Sequence, residues 1–251
     1  MMRVLILIPA RYASTRFPGK PLALIGGKPV IRRVVEQAAR VGKDVYVATD
    51  DSRIFECVQG FGGCAIMTSP EHRSGTDRCY EAYCRVVEQT GKDYDVVVNI
   101  QGDEPFIQPQ QVESLIACFD SPQVQIATLA KQFENNGDIF DPNKVKVVCS
   151  AQGTALYFSR SAIPFCRGVE QEEWISRAPF YKHVGMYAYR SEVLREITAL
   201  PPGMLEQCES LEQLRWLEQG YTIAVRLTDH ESIGIDTPED LQRANEAFKE
   251  R

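Results

Sequence analysis

The sequence predicts an α/β protein whose mainly parallel sheet carries helices on both faces. Three observations carry that expectation. Short apolar runs rich in β-branched residues and bounded by Pro, Gly or Asp (residues 4–8, 44–49 and 95–100) read as buried strands. Segments with apolar residues three and four apart separate them, as crossover helices do in parallel sheets. From about residue 124 that alternation stops and strand-like segments follow one another across loops, which predicts an antiparallel extension.

Taken in order, residues 4–8 form the first strand. Val30, Val34, Val35 and Ala38 mark a helix over residues 30–41 that Gly42 ends. Residues 44–49 are the second strand, Asp50-Asp51-Ser52 opens a short helix through Cys57, and residues 64–68 are the third strand. A polar loop over 69–76 leads into a helix reaching about Gln89, ended by Gly91. The fourth strand, 95–100, is followed by a helix from Pro109 toward Phe119. Residues 124–130, 145–149, 155–159 and 183–189 are strand-like. Helices return at 191–199 and 207–219, residues 221–227 form a late strand, and Thr237-Pro238 caps and starts the last helix.

A chain of 251 residues accommodates one large α/β domain, here read as spanning 1–251. The formal net charge of -6 argues against a nucleic-acid or membrane-surface binder, which needs an excess of Lys and Arg. No run approaches the ~18 apolar residues of a membrane span, and residues 1–10 are too short an apolar core for a secretion signal, so a cytoplasmic protein is expected. The eight cysteines show no CxxC pair and no zinc spacing, which predicts small, buried, reduced thiols.

The strand-to-loop junctions carry the chemistry, because loops at the carboxyl ends of parallel strands bind ligands in open α/β sheets. After the first strand comes PARYASTRFPGKPL, whose Arg11, Arg16 and Lys20, with two hydroxyls and Gly19, suit a polyphosphate. It matches neither GxGxxG nor the P-loop, since Pro21 follows Gly19-Lys20, and its plainer reading is a basic surface loop. Asp103 stands just past the fourth strand, and Asp236 stands in Ile233-Gly234-Ile235-Asp236-Thr237-Pro238. Brought to one sheet edge, two carboxylates suit Mg²⁺, which takes one or two carboxylates plus substrate phosphates. Read locally, Asp103 is a turn residue and Asp236 a helix cap. Residues 72–78, at a helix start, offer amides and hydroxyls to an anion or a base edge, or form a plain N-cap with a charged turn.

Eight stretches occur in order along the chain: PARYASTRFPGKPL, EHRSGTDR, VVVNIQGDEP, PNKVKVV, ALYFSRSAIPF, KHVGMYAYR, LEQLRWLEQG and GIDTPEDL. In that combination the chain resembles the 3-deoxy-manno-octulosonate (Kdo) cytidylyltransferases, also called CMP-Kdo synthetases. The first loop resembles that of the CMP-sialate synthetases too, and ALYFSR, KHVGMYAYR and LEQLR favour the Kdo branch. The resemblance implies a Rossmann-like nucleotidyltransferase fold, a smaller mixed lobe over 130–200 for dimerisation and sugar binding, and a homodimer. It implies transfer of CMP from CTP to Kdo with release of pyrophosphate, assisted by Mg²⁺, for lipopolysaccharide biosynthesis. On that resemblance Arg11, Ser14 and Lys20 hold the CTP phosphates with Ala10 near the base, and Ser74, Gly75 and Arg78 read the cytosine. Asp103 and Asp236 are the metal ligands, and with Arg11 and Lys20 they form the catalytic set. Gln101, Arg160, His183, Tyr187, Glu209 and Gln213 contact the sugar acid.

The sugar residues have plainer readings as well. His183 and Tyr187 fit core positions of an apolar strand, and Arg160 fits a surface cation. Glu209 and Gln213, four apart on the expected 207–219 helix, share a face. Residues 167–182 match no pattern of that family, and Trp174 among them is a candidate interface residue; Asp50-Asp51 is a turn with no catalytic role. The rival substrates are 8-amino-Kdo and sialic acid, and a uridylyltransferase would change the nucleotide. The rival of another class is a non-catalytic nucleotide-binding regulator. It predicts missing carboxylates or loop cations, whereas Asp103, Asp236 and the whole first loop are present.

Overall fold

The apolar run at the start of the chain becomes β1 (Val4–Ala10), a strand buried on both faces. Val4, Ile6 and Ile8 enter one core and Leu5 and Leu7 the other, as the two-residue period of a strand requires. The structure is a computed structural model that describes residues 2–14, 16–231 and 234–249. Thr15 of the first loop and Ile233 of the last motif lie outside the described residues.

A small hairpin, β2 (Leu24–Ile25) and β3 (Lys28–Pro29), follows the first loop. Then come α1 (Val30–Ala39), β4 (Asp44–Thr49), α2 (Ser52–Gly60), β5 (Cys64–Met67), α3 (Gly75–Thr90), β6 (Val96–Asn99) and α4 (Pro109–Ala117). The second half holds β7 (Ile126–Gln132), α5 (Asn136–Ile139), β8 (Lys146–Cys149), β9 (Ala155–Ser159), α6 (Trp174–Arg177) and β10 (Tyr181–Arg190). It closes with α7 (Ser191–Thr198), α8 (Met204–Glu209), α9 (Gln213–Glu218), β11 (Ile223–Leu227) and α10 (Pro238–Lys249). The main sheet runs β11-β7-β10-β6-β1-β4-β5, with β8 and β9 branching from β10. Strands β6, β1, β4 and β5 are mutually parallel. Residues of α1, α2, α4 and α10 pack on one face, and those of α3, α7 and α9 on the other.

Two features of this topology place the site. The chain steps from β1 to β4 on one side and returns to β6 on the other, so the β1/β6 junction is a switch point where loops diverge and leave a crevice. Between β6 and β7, β10 runs antiparallel to both, while β11 is parallel to β7. That antiparallel insertion brings the start of β10 and the end of β11 to the same edge as the carboxyl ends of β1 and β6.

Several expectations need correction. The segment that leaves the sheet is narrower than 130–200, because β7 and β10 are sheet strands and β8 and β9 pair onto β10; what lies outside is residues 133–145 and 160–180. It has a core of its own, built on Phe133, Ile139, Trp174 and Phe180. Trp174 is 3% exposed, rings with Phe140, Phe165 and Phe180, and donates from Nε1 to Val169 O, so its burial comes from its own chain and not from an interface. The single helix over 207–219 is two helices: Ser210 takes a left-handed conformation (φ 51°), and the break lets Leu211, Leu214 and Trp216 all reach the core. All eight cysteines are free, yet only Cys79 and Cys118 are buried; Cys64 is exposed on edge strand β5, and Cys84 and Cys208 are exposed on helices. Among the described residues no helix is long and apolar enough to cross a membrane.

Candidate active site

A cleft of about 440 Å³ opens at the β1/β6 crevice. Gly102 forms part of its floor, and a Cβ there would lie 2.7 Å from Pro9 O, so only glycine lets the two strand ends come this close. The first loop is closed by Gly19, left-handed at φ 73°, whose N–H donates to Tyr12 O at 2.8 Å. Arg53 lies over the Tyr12 ring, 3.3 Å from its centroid, and braces that loop from α2. The turn delivers Lys20 into the cleft, with Arg11 and Ser14 on the same wall.

Lys20 meets both aspartates. Its Nζ donates to Asp103 Oδ2 and, at 3.1 Å, to Asp236 Oδ1, while Arg16 Nη2 lies 3.0 Å from Asp236 Oδ2. The two aspartate loops are stitched together by Ile235 N–H donating to Asp103 O at 2.8 Å. Thr237 and Asp240 cap α10 reciprocally: Asp240 Oδ2 accepts from Thr237 N at 2.9 Å, and Thr237 Oγ1 accepts from Asp240 N at 3.2 Å. The capping role therefore falls to them, and the Asp236 carboxylate is left for the cleft. Burial pulls the Lys20 ammonium down, but Asp103 and Asp236 outweigh it and hold its pKa above the ordinary value. Among the described residues no group of three or more His, Cys, Asp or Glu is arranged to hold a metal. A pair of carboxylates beside a cationic loop fits a hard cation whose remaining ligands are phosphates and water.

The 72–78 segment forms a further wall. Ser74 Oγ accepts from Asp77 N at 3.0 Å and caps α3, so the N-cap reading holds for Ser74. Gly75 and Arg78 line the cleft. Arg78 is 1% exposed and donates to Thr68 Oγ1 at 2.6 Å and Asp50 Oδ2 at 2.9 Å, which gives Asp50 a positioning job the sequence did not reveal.

The expected sugar residues lie on β10 and on the elements and loops around it. Gln101 lines the cleft, and its Nε2 donates to Gly185 O at 3.3 Å, tying the cleft to β10. His183 and Tyr187 stand together on β10 with ring centroids 5.3 Å apart, and Phe158 meets His183 edge-on at 5.0 Å. Burial drives the His183 imidazole down to about 3, so it is neutral across the ordinary pH range. Arg160 and Glu209 form a separate pair. The Glu209 carboxylate accepts from Ser159 Oγ at 2.6 Å and Arg160 N at 2.9 Å, and the Arg160 guanidinium donates to the carbonyls of Glu209, Pro142 and Ser210. Gln213, 5% exposed, opens α9 across the break from Glu209, so the two do not share a helix face.

Residues 5–227 match the family model described as cytidylyltransferase. The chain belongs to the cytidylyltransferase family. The 3-deoxy-manno-octulosonate cytidylyltransferase of Bacteroides thetaiotaomicron is 58% identical over 253 residues, covering all of both chains. The 8-amino-3,8-dideoxy-manno-octulosonate cytidylyltransferase of Shewanella baltica is 47% identical over 98% of each. A solved CMP:2-keto-3-deoxy-manno-octonic acid synthetase complexed with CTP superposes with a TM-score of 0.89, at 43% identity and 99% coverage of both chains.

In this cytidylyltransferase the acid that sequence reasoning passed over is Glu212. It sits in the mixed stretch 211–217, accepts from Thr76 Oγ1 at 2.6 Å, and faces Tyr187 and Tyr189. Burial raises its pKa against the pull of the Thr76 and Ser74 hydroxyls. The Tyr187 and Tyr189 hydroxyls, Trp216 Nε1 against their rings and Asn99 Oδ1 across from Tyr187 are buried with no hydrogen-bond partner among the described residues. Such a cluster is costly unless water or a polar ligand completes it. The signal available in the sequence was a charged residue among leucines; the break at Ser210, which moves the face from Glu209 to Glu212, left no mark there.

Proposed function

We propose that this cytidylyltransferase joins CTP to Kdo, giving CMP-Kdo and pyrophosphate for lipopolysaccharide biosynthesis in the cytoplasm. One observation carries the reading: a loop lysine and two aspartates from distant loops meet at the sheet's switch point, in a chain 58% identical end to end to a Kdo cytidylyltransferase. The anomeric hydroxyl of the sugar attacks the α-phosphorus in line with departing pyrophosphate, so the protein's work is positioning and charge neutralisation. Arg11 and Lys20 offset charge on the transferring and leaving phosphates. Gly75 and Arg78, the latter fixed by Asp50 and Thr68, form the wall for the base. Gln101 orients the acceptor from the β10 side. Asp103 and Asp236 are the residues that would hold Mg²⁺, which would supply polarisation of the α-phosphate and a lower pKa for the attacking hydroxyl.

The lobe supports a homodimer, since Phe165 is 74% exposed beside the buried Trp174. The 8-amino sugar is the second reading, and the higher identity to the Kdo enzyme favours Kdo. Pyrophosphate release is measured with CTP and each sugar, with UTP in place of CTP, and with EDTA. Turnover with Kdo, CTP and Mg²⁺ alone is expected; turnover with sialic acid and none with Kdo would sink the substrate assignment.

A further inference from the structure

We propose that Lys20 serves as a resident cation that closes the aspartate pair to divalent metal until a triphosphate draws its ammonium away, so that metal and nucleotide bind interdependently. The inference rests on the reading of Asp103 and Asp236 as metal ligands. The Lys20 ammonium is within hydrogen-bond distance of both carboxylates and occupies the position between them. A divalent ion held by these carboxylates would need the space that the ammonium fills, and the two cannot share it. Lys20 and Arg16 also balance the two negative charges, so a bare metal gains little electrostatically on entry.

The ammonium has a defined alternative. Lys20 projects from a short turn whose register is fixed by Gly19 and the buried Pro21, and Arg11 and Ser14 share its cleft. A triphosphate in that cleft offers oxygens to the ammonium, while its own charge and the vacated carboxylates complete a metal shell. Each carboxylate exchanges one cation for another, and the lysine exchanges carboxylates for phosphate, so no buried charge is left unpaired. Linkage makes the coupling reciprocal: metal strengthens CTP binding by the factor by which CTP strengthens metal binding. Lys20 thus carries two roles in sequence, as counter-ion before substrate arrives and as phosphate ligand afterwards.

The test is direct titration of the full-length protein with Mn²⁺, free ion followed by electron paramagnetic resonance, without nucleotide. Lys20→Met should bind Mn²⁺ at least about tenfold more tightly than wild type, within the usual range of coupling between sites. Lys20→Arg, which keeps a cation in place, should stay near wild type and shows that the turn tolerates substitution. Equal Mn²⁺ affinity in wild type and Lys20→Met overturns the inference. Tight binding by Lys20→Met that persists in Lys20→Met/Asp103→Asn overturns instead the placement of the metal on these aspartates.

Discussion

Each side chain in the cleft is defined by what it gives up elsewhere. Asp236 is free to face the cleft because Asp240 and Thr237 take over the helix cap, whereas Glu209 is spent on Ser159 and Arg160. Replacing Asp103 with Asn keeps the shape and removes a charge. Turnover should fall by about a hundredfold or more, the scale of losing a charge-stabilising group, with a much smaller loss of stability because Lys20 keeps Asp236 as a partner. Pyrophosphate release and urea denaturation measure the two effects separately. His183 makes a pH prediction. Its folded pKa of about 3 lies below the ordinary 6.5, so between these values the unfolded chain binds a proton that the folded chain refuses. Stability is therefore full above pH 6.5 and declines as pH falls toward 3. His183→Gln should lose less stability than wild type between pH 7 and pH 5, by up to about 2 kcal/mol in urea titrations.

Strand ends and helix starts decide the geometry of this site more than the elements themselves. β1 and β6 bring Arg11 and Asp103 into one cleft because Gly102 has no side chain where Pro9 O passes. Gly102→Ala should force the β6 loop away from β1, costing about 1–3 kcal/mol of stability from overpacking and most of the turnover. Wild-type turnover at unchanged melting temperature would show that the close approach is dispensable. The break between α8 and α9 works in the opposite sense. Arg215 bonds Glu206 across it, at 2.7 Å from Nε to Oε2, and the turn swings Glu212 toward α3. Local periodicity cannot register a one-residue reversal at Ser210, because a serine is compatible with helix interior and turn alike.

The whole molecule joins a half of parallel strands, β6, β1, β4 and β5, to a half in which β10 runs antiparallel to both its neighbours. The lobe outside the sheet, residues 133–145 and 160–180, closes around Trp174, yet leaves Phe165 on its surface. If this lobe dimerises, sedimentation of wild type gives a dimer and Phe165→Asp shifts it toward monomer, with the fold retained because Phe165 is 74% exposed. A wild-type monomer at micromolar concentration overturns the dimer.

The sequence by itself determined the strands of the main sheet, though not the small β2–β3 hairpin, most of the helices and the identity of the cleft's cations and carboxylates. These are written in local periodicity, in turn residues and in the residue types that polyphosphate and Mg²⁺ demand. Tertiary structure alone decided which residues meet. β10 lies between β6 and β7, an order no periodicity encodes, and only that order brings the β11–α10 loop with Asp236 to the edge where Asp103 stands. It also decided that Lys20, read as a phosphate ligand, and the two aspartates, read as metal ligands, face one another. Opposite charges brought into a part-buried cleft pair with each other, and that pairing follows from the distance between loops more than 80 residues apart in the chain, not from the composition of any one of them.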